Sequence, residues 1–364
     1  MRRKTDKTKK IMSIAIAAVL LVGMTACGKE NEQSEQEKTI PDELNVMVWG
    51  SFWSDEAFEK FEEKYNCHVN VNYITNSDEL LTKIQNGEDY DLIQVEHSYV
   101  KTFVDADILQ LNNLEDMPNI KKLPDNLWGP IGDEKNEYVF PDGSVPLCST
   151  VVYNKETCPI SITSFEDLAD EKLKGQVVLP ESSCTLFGFA LNALGYDVSS
   201  TNEDEMEEAY NLLCSIKKNV KAFSGGSGVT SLENGEASVA LIYGTDWPIL
   251  NEKEESRGKF EIADIEGYEM PLSSWGIPKS STHKYGAEQL ANFLIEPEIF
   301  ALSIEEYPTP YSSVPETAKY LSDGIINNPG LEMPDYVMKK GWRQSVSPQM
   351  LSLVDKYYTK FKSE

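Results

Sequence analysis

Residues 44–110 constrain the fold most, because hydrophobic spacing there switches repeatedly between the two-residue period of a strand and the 3.6-residue period of a helix. Leu44-Asn-Val-Met-Val-Trp49 alternates as a strand. Ser54 then stands as a helix N-cap, followed by Asp55 and Glu56, whose charges suit the positive end of a helix. Phe58, Phe61 and Tyr65 give that helix an apolar stripe. Val69, Val71 and Tyr73 mark a second strand. Ser77 caps a second helix with Leu80, Leu81 and Ile84 facing inward and Asn86-Gly87 as its stop. Asp91-Leu-Ile-Gln-Val95 is a third strand. This order predicts a parallel, doubly wound sheet, with ligands expected beyond the C-terminal ends of its strands.

A second α/β block is expected over 150–272. It holds a strand at Gln176–Leu179, a helix from Leu186 to Leu194 stopped by Gly195, and an acidic amphipathic helix from Glu203 to Lys218. A buried strand follows at Ala237-Ser-Val-Ala-Leu-Ile-Tyr243. The chain then returns through the strand Ser274-Trp-Gly-Ile-Pro278 and a helix from Tyr285 to Ile295. A tail helix, roughly Pro348 to Phe361, carries Met350, Leu351, Val354, Tyr357 and Tyr358 as its stripe. No internal repeat is present.

The chain opens with Arg2, Arg3, Lys4, Lys7, Lys9 and Lys10, then a short apolar run from Ile11 to Val22, then Met24-Thr25-Ala26-Cys27. That is the pattern of an export signal, 1–26, too short for a membrane span. The cysteine after two small residues resembles a lipobox, which makes Cys27 the expected lipidation site; ordinary secretory cleavage is the alternative. Residues 27–43 are polar and aperiodic and read as a flexible tether. Against 33 Lys and Arg stand 60 Asp and Glu, a net charge of −27, which repels nucleic acid and anionic lipid and steers cations inward. After Cys27 five cysteines remain, so at least one is unpaired. The three histidines are scattered, with no metal-ligand spacing, and neither metal nor cofactor is expected.

A family resemblance enters on an ordered set of pieces spread over 44–362. They are Trp49 with Gly50-Ser51-Phe52, Tyr90-Asp-Leu-Ile93, Ser98-Tyr-Val100, Ser144-Val-Pro146, Val151-Val-Tyr-Asn154 and Ser164-Phe-Glu-Asp-Leu168. Leu173-Lys-Gly175, Ala190-Leu-Asn-Ala-Leu-Gly-Tyr196, Gly235-Glu236, Trp275-Gly-Ile-Pro278, Tyr307-Pro-Thr-Pro310 and Gly341-Trp342 follow in order. With these the chain resembles the bacterial spermidine/putrescine-binding proteins, solute-binding components of ABC importers. The resemblance implies an α/β, two-lobed periplasmic-binding-protein fold, each lobe a doubly wound sheet, hinged by crossover strands. Lobe one is expected over 44–148 and 273–315, lobe two over 149–272 and 316–364. It further implies a monomer on the extracytoplasmic face of the cell membrane that closes on a small amine and delivers it to a permease backed by an ATPase.

Carried over position by position, Trp49, then Phe52 or its neighbour Trp53, then Tyr243 and Tyr307, match the family's aromatic walls, where cation–π contact holds an amine. Ser98 lies in one of the matching pieces. The family's amine-pinning acids fall on Ser182, Thr185 and Ser273, and a family glutamine on Arg343. Glu96 and Asp246 are the acids that could compensate. The loop Ser224-Gly-Gly-Ser-Gly228, with Gly225 in it, has the makings of an anion nest. With Arg343 it leaves a second ligand class open, a zwitterion such as an amino acid or aminophosphonate. A carboxylate-dependent hydrolase and a surface adhesin are the rival classes. No motif singles out a catalytic acid pair, and no G-x-S-x-G, HExxH or P-loop is present, so no enzyme activity is expected.

Overall fold

The computed structural model describes residues 38–74, 77–224, 228–252 and 256–363. The expected signal, Cys27, most of the tether and Gly225 lie outside the described residues. No helix among the described residues is long and apolar enough to cross a membrane.

The strands are β1 (Glu43–Trp49), β2 (His68–Ile74), β3 (Leu92–Glu96), β4 (Val139–Pro141), β5 (Thr150–Asn154) and β6 (Val177–Pro180). They continue with β7 (Val220–Ser224), β8 (Val239–Ile242), β9 (Phe260–Ile262), β10 (Tyr268–Glu269), β11 (Ser273–Gly276) and β12 (Gly341–Trp342). Two five-stranded sheets form, ordered β2-β1-β3-β11-β4 and β7-β6-β8-β5-β9, one per lobe. β10 and β12 make a separate parallel pair.

Alternation along β1 covers both faces of the first sheet. Leu44, Val46 and Val48 pack with Phe58 and Phe61 of the helix Asp55–Tyr65 and with Leu290 and Phe293 of the helix Lys284–Leu294. Met47 points the other way, into a cluster with Leu80, Val100 and Phe103. Helices on both faces explain why β1 and β3 are buried throughout most of their length. Ser54 caps the first helix as expected, its Oγ accepting from the Glu56 N–H at 3.3 Å, and Asn66 ends it in the left-handed conformation at φ 51°. In the second lobe, Val177, Leu179, Val239 and Leu241 join a core closed by Leu213, Met350, Val354 and Phe361.

The spacing of the first block predicts parallel strands, and β1, β2 and β3 are parallel. Each whole sheet is mixed, however. β11 runs antiparallel to β3 and β4, and β5 antiparallel to β8 and β9. The reversed strands are those that enter directly after the chain passes between lobes, so they arrive from the opposite side. At these passages Ser149 bridges Glu269 in antiparallel fashion, its N–H donating to the Glu269 carbonyl at 2.9 Å. The end of β8 presses on the same strap. A Cβ on Gly244 would lie 1.7 Å from the Leu147 carbonyl oxygen, so only glycine fits there.

The chain passes between lobes again near its end. Beyond residue 315, Leu321 still belongs to the first lobe's core, with Ile325 packed against it, whereas Val337 belongs to the second. Val346 then returns to the first lobe. Its N–H donates to the Ser98 carbonyl and its carbonyl accepts from Thr102 Oγ1, each at 2.8 Å, before the helix Pro348–Ser363 joins the second lobe.

Candidate functional site

The polar residues at the tips of both sheets collect around an acid that sequence reasoning did not single out. Glu269 ends β10, half-buried, and its carboxylate accepts from Thr185 Oγ1 at 3.1 and 3.2 Å. Thr185 sits in the first turn of the helix Ser183–Ala193, whose N-cap is Ser182, with Ser182 Oγ accepting from the Thr185 N–H at 3.3 Å. The Ser182 hydroxyl also bonds the Tyr243 phenol, which lies in the field of Glu269. Burial, with Glu269 next, pushes that phenol up to about 12.

Glu96 faces this group from the first lobe. It ends β3 and starts the helix His97–Asp105, and its carboxylate takes hydrogen bonds from the Ser98 and Ser77 hydroxyls, the latter at 3.3 Å. Burial raises the Glu96 carboxyl above its ordinary range. Burial, with the neighbouring Glu96 charge adding to it, also raises Glu269, to about 7. No lysine, arginine or histidine forms an ion pair with either acid among the described residues. Two desolvated carboxylates of like charge, from two lobes and without a cation, attract a cationic guest.

Glu96, Ser98, Ser182, Thr185 and Tyr243 are thus brought into one neighbourhood. The remaining candidates take other places. Trp49 ends β1 half-buried, and its N–H donates to Gln94 Oε1 at 3.0 Å. Trp53 is 1% exposed and stacks on Trp275 at 5.6 Å inside the core, leaving Phe52 as the partly exposed member of that pair. Asp246 is buried in its own turn, its Oδ2 accepting from the Tyr243 N–H at 3.2 Å. Ser273 donates to Asp142 Oδ2. Tyr307 bonds Glu306 and lies in the field of Asp55, whose carboxylate accepts from Tyr73.

Arg343 follows β12, half-buried, and its Nη2 donates to the Asn126 carbonyl at 2.9 Å. Burial lowers the guanidinium, no acid pairs with it among the described residues, and its charge acts on His97. Burial, assisted by Arg343, holds His97 down to about 3, so the ring is neutral at physiological pH. A cavity of about 280 Å³ lies elsewhere, between Tyr311 and Asn328, and none of the acid-pair residues lines it. The five cysteines from Cys67 to Cys214 are all free thiols.

Two faint signals pointed to Glu269. It is a lone acid between the buried Tyr268 and Leu272, and it directly precedes the return strand. Its burial comes from Thr185 and Ser149, remote in sequence, and so is invisible to local pattern.

With this geometry in view, the comparisons with known proteins agree. The chain is 26% identical over 352 residues to the spermidine/putrescine-binding periplasmic protein of Escherichia coli, covering 95% of this chain and 97% of that one. It is 26% identical over 321 residues to a putrescine-binding periplasmic protein of Pseudomonas aeruginosa, covering 82% and 85%. The crystal structure of a lipoprotein of Treponema pallidum superposes with a TM-score of 0.77 at 20% identity, over 89% of this chain and 100% of the other. That likeness is to the two-lobed periplasmic-binding-protein fold. Periplasmic relatives place the chain outside the cytoplasm. The model of the family described as bacterial extracellular solute-binding protein matches residues 56–331, so the chain belongs to that family of binding proteins rather than to an enzyme family.

Proposed function

We propose that this protein is the capture component of an ABC importer and that it takes a small amine-bearing solute of the spermidine or putrescine kind into the cleft between its lobes. The relatives named for those amines support the reading. One observation carries it: half-buried Glu269 lies in the field of Glu96 from the other lobe, and neither acid has an ion-pair partner among the described residues. An ammonium group supplies the missing charge, and Tyr243 stands next to it. Trp49, Phe52 and Tyr307 are the aromatic positions assigned to the solute's chain. Closure follows as a population shift, because a solute that bridges both lobes binds the closed state better than the open one. The loaded form then docks on a permease with an ATPase behind it. Export by residues 1–26, a lipid on Cys27 and the tether to residue 43 would hold a monomer at the outer face of the membrane.

A zwitterionic solute is the second reading, favoured by Arg343, a half-buried guanidinium without an acid partner among the described residues. A thermal-shift panel of putrescine, spermidine, 4-aminobutyrate and common amino acids tests both, since a binder of the folded state raises Tm. Diamines that raise Tm equally in the native protein and in Arg343→Ala support the first reading. A shift confined to zwitterions and lost in Arg343→Ala supports the second. No shift with any amine defeats both.

A further inference from the structure

We propose that Trp342 is a positioning residue of the amine site: its ring, wedged between two glycines, sets the gap between β10 and the helix Ser183–Ala193 and so keeps the Glu269 carboxylate within reach of Thr185. This rests on the amine reading above, in which Glu269 meets the solute, and adds what holds that acid in place. β10 needs such support. It is two residues long and belongs to neither five-stranded sheet, so no sheet fixes its distance from the helix.

The strand pairing supplies the first half of the case. β10 pairs with β12 in parallel, Glu269 directly opposite Trp342, and the Met270 N–H donates to the Trp342 carbonyl at 2.8 Å. Residues opposite one another in a parallel pair project their side chains to the same face. Both side chains here meet one helix. Glu269 accepts from Thr185 Oγ1 at 3.1 and 3.2 Å, and the Trp342 ring lies against Gly188.

The helix supplies the second half. Thr185, Gly188 and Asn192 are spaced three and four residues apart, which makes them one stripe along its surface. A Cβ on Gly188 would lie 2.7 Å from Trp342 Cη2, and one on Gly267 would lie 2.6 Å from Asn192 Oδ1 and 2.9 Å from Trp342 Cδ1. Neither glycine has a positive φ, so backbone conformation does not call for them. Glycine inside a helix costs stability relative to alanine, yet position 188 carries it. The bulk of the ring is the reason. Phe189 closes a third side, edge to face at 5.5 Å. The buried indole N–H donates to nothing among the described residues, so the ring is held by shape and serves as a spacer. The spacing matters because the Thr185 bond, at 3.1 and 3.2 Å, is already long for a hydroxyl donor, and a further shift of β10 would break it.

A double-mutant cycle tests this, because two residues that act through one bond do not add. Calorimetry reads the putrescine and spermidine affinities of the native protein, Thr185→Val, Trp342→Phe and the double variant, with Tm measured alongside. Thr185→Val alone should weaken binding about fivefold. In the Trp342→Phe background, where the bond is already lost, the same change should cost less than about twofold. Gly188→Ala reaches the ring from the helix side and gives an independent cycle with the same expected result, which decides the matter if Trp342→Phe fails to fold by circular dichroism. A merely structural ring would lower Tm and leave the cycle additive. Additivity in a folded background, or native affinity in both Trp342→Phe and Gly188→Ala, overturns the positioning role and leaves the amine reading standing. Failure of both amines to bind the folded native protein overturns the amine reading, and the positioning role with it.

Discussion

Asp142 and Glu269 are both carboxylates at the sheet tips, next to strands that carry the chain between lobes, and their surroundings differ sharply. Asp142 is fully buried and accepts from Gln94 Nε2 at 2.9 Å, from the Ser144 N–H at 3.0 Å, from Ser144 Oγ at 2.5 Å and from Ser273 Oγ. Gln94 in turn accepts the Trp49 N–H. Glu269 keeps part of its surface, and its well-formed side-chain hydrogen bonds among the described residues come from Thr185, with the Ser149 hydroxyl at its edge. A saturated acid ties strands together, whereas an acid left short of donors has capacity for a guest. By that contrast Ser273 belongs to the tie that fixes Trp49, and Thr185 to the wall proposed to meet solute.

Asp142→Ala should have the largest effect. It leaves donors on Gln94, Ser144 and Ser273 without their acceptor, a loss of about 3 kcal/mol that urea denaturation will read. If stability holds while amine binding collapses, the two acids have been assigned the wrong way round.

Glu269→Gln sharpens the contrast through pH. The native carboxyl, raised to about 7 from an ordinary 4.5, binds protons that the unfolded chain has already lost. Native stability therefore declines as pH climbs from about 4.5 to 7, by at most about 3 kcal/mol and less where solvent screens the group. The glutamine variant lacks this decline and should be the more stable protein at pH 8. His97 works in the opposite sense. Its folded value of about 3 lies below the ordinary 6.5, so its contribution grows as pH rises through that interval. Comparing native protein and variant at each pH removes it from the result.

Thr185→Val should have the smallest effect. Losing one hydroxyl donor to Glu269 weakens amine binding by about 1 kcal/mol, and the midpoint of the pH profile moves upward. Equal affinity and an unmoved midpoint would show that this bond does not hold the carboxylate.

Much of this was legible before any coordinates. The alternation of β1 to β3, the Ser54 cap and the stripe of the tail helix are local, and each formed where the pattern placed it. Glu96, Ser98, Ser182, Thr185 and Tyr243 also stood out, because strand ends and helix starts can be read in one dimension. What escaped depends on partners remote in sequence. Trp49 and Trp53 are identical in type and nearly adjacent, yet only the second meets Trp275 and is sealed in the core. Glu269 occupies a strand of two residues, too short for any period to show, and its environment is made by Thr185 and Ser149. The mixed direction of the sheets likewise follows from the path between lobes rather than from spacing.

The two hydrogen bonds between Val346 and the helix that Glu96 caps leash one jaw to the end of the chain. A pair of plain straps would let the jaws gape about two pivots alone. With a third tie fastened at Ser98 and Thr102, the jaw bearing Glu96 is linked directly to the segment that leads into the last helix. The last helix, whose Met350 and Val354 sit in the second lobe's core, is thus fastened at its root to the first lobe by a route that bypasses both sheets.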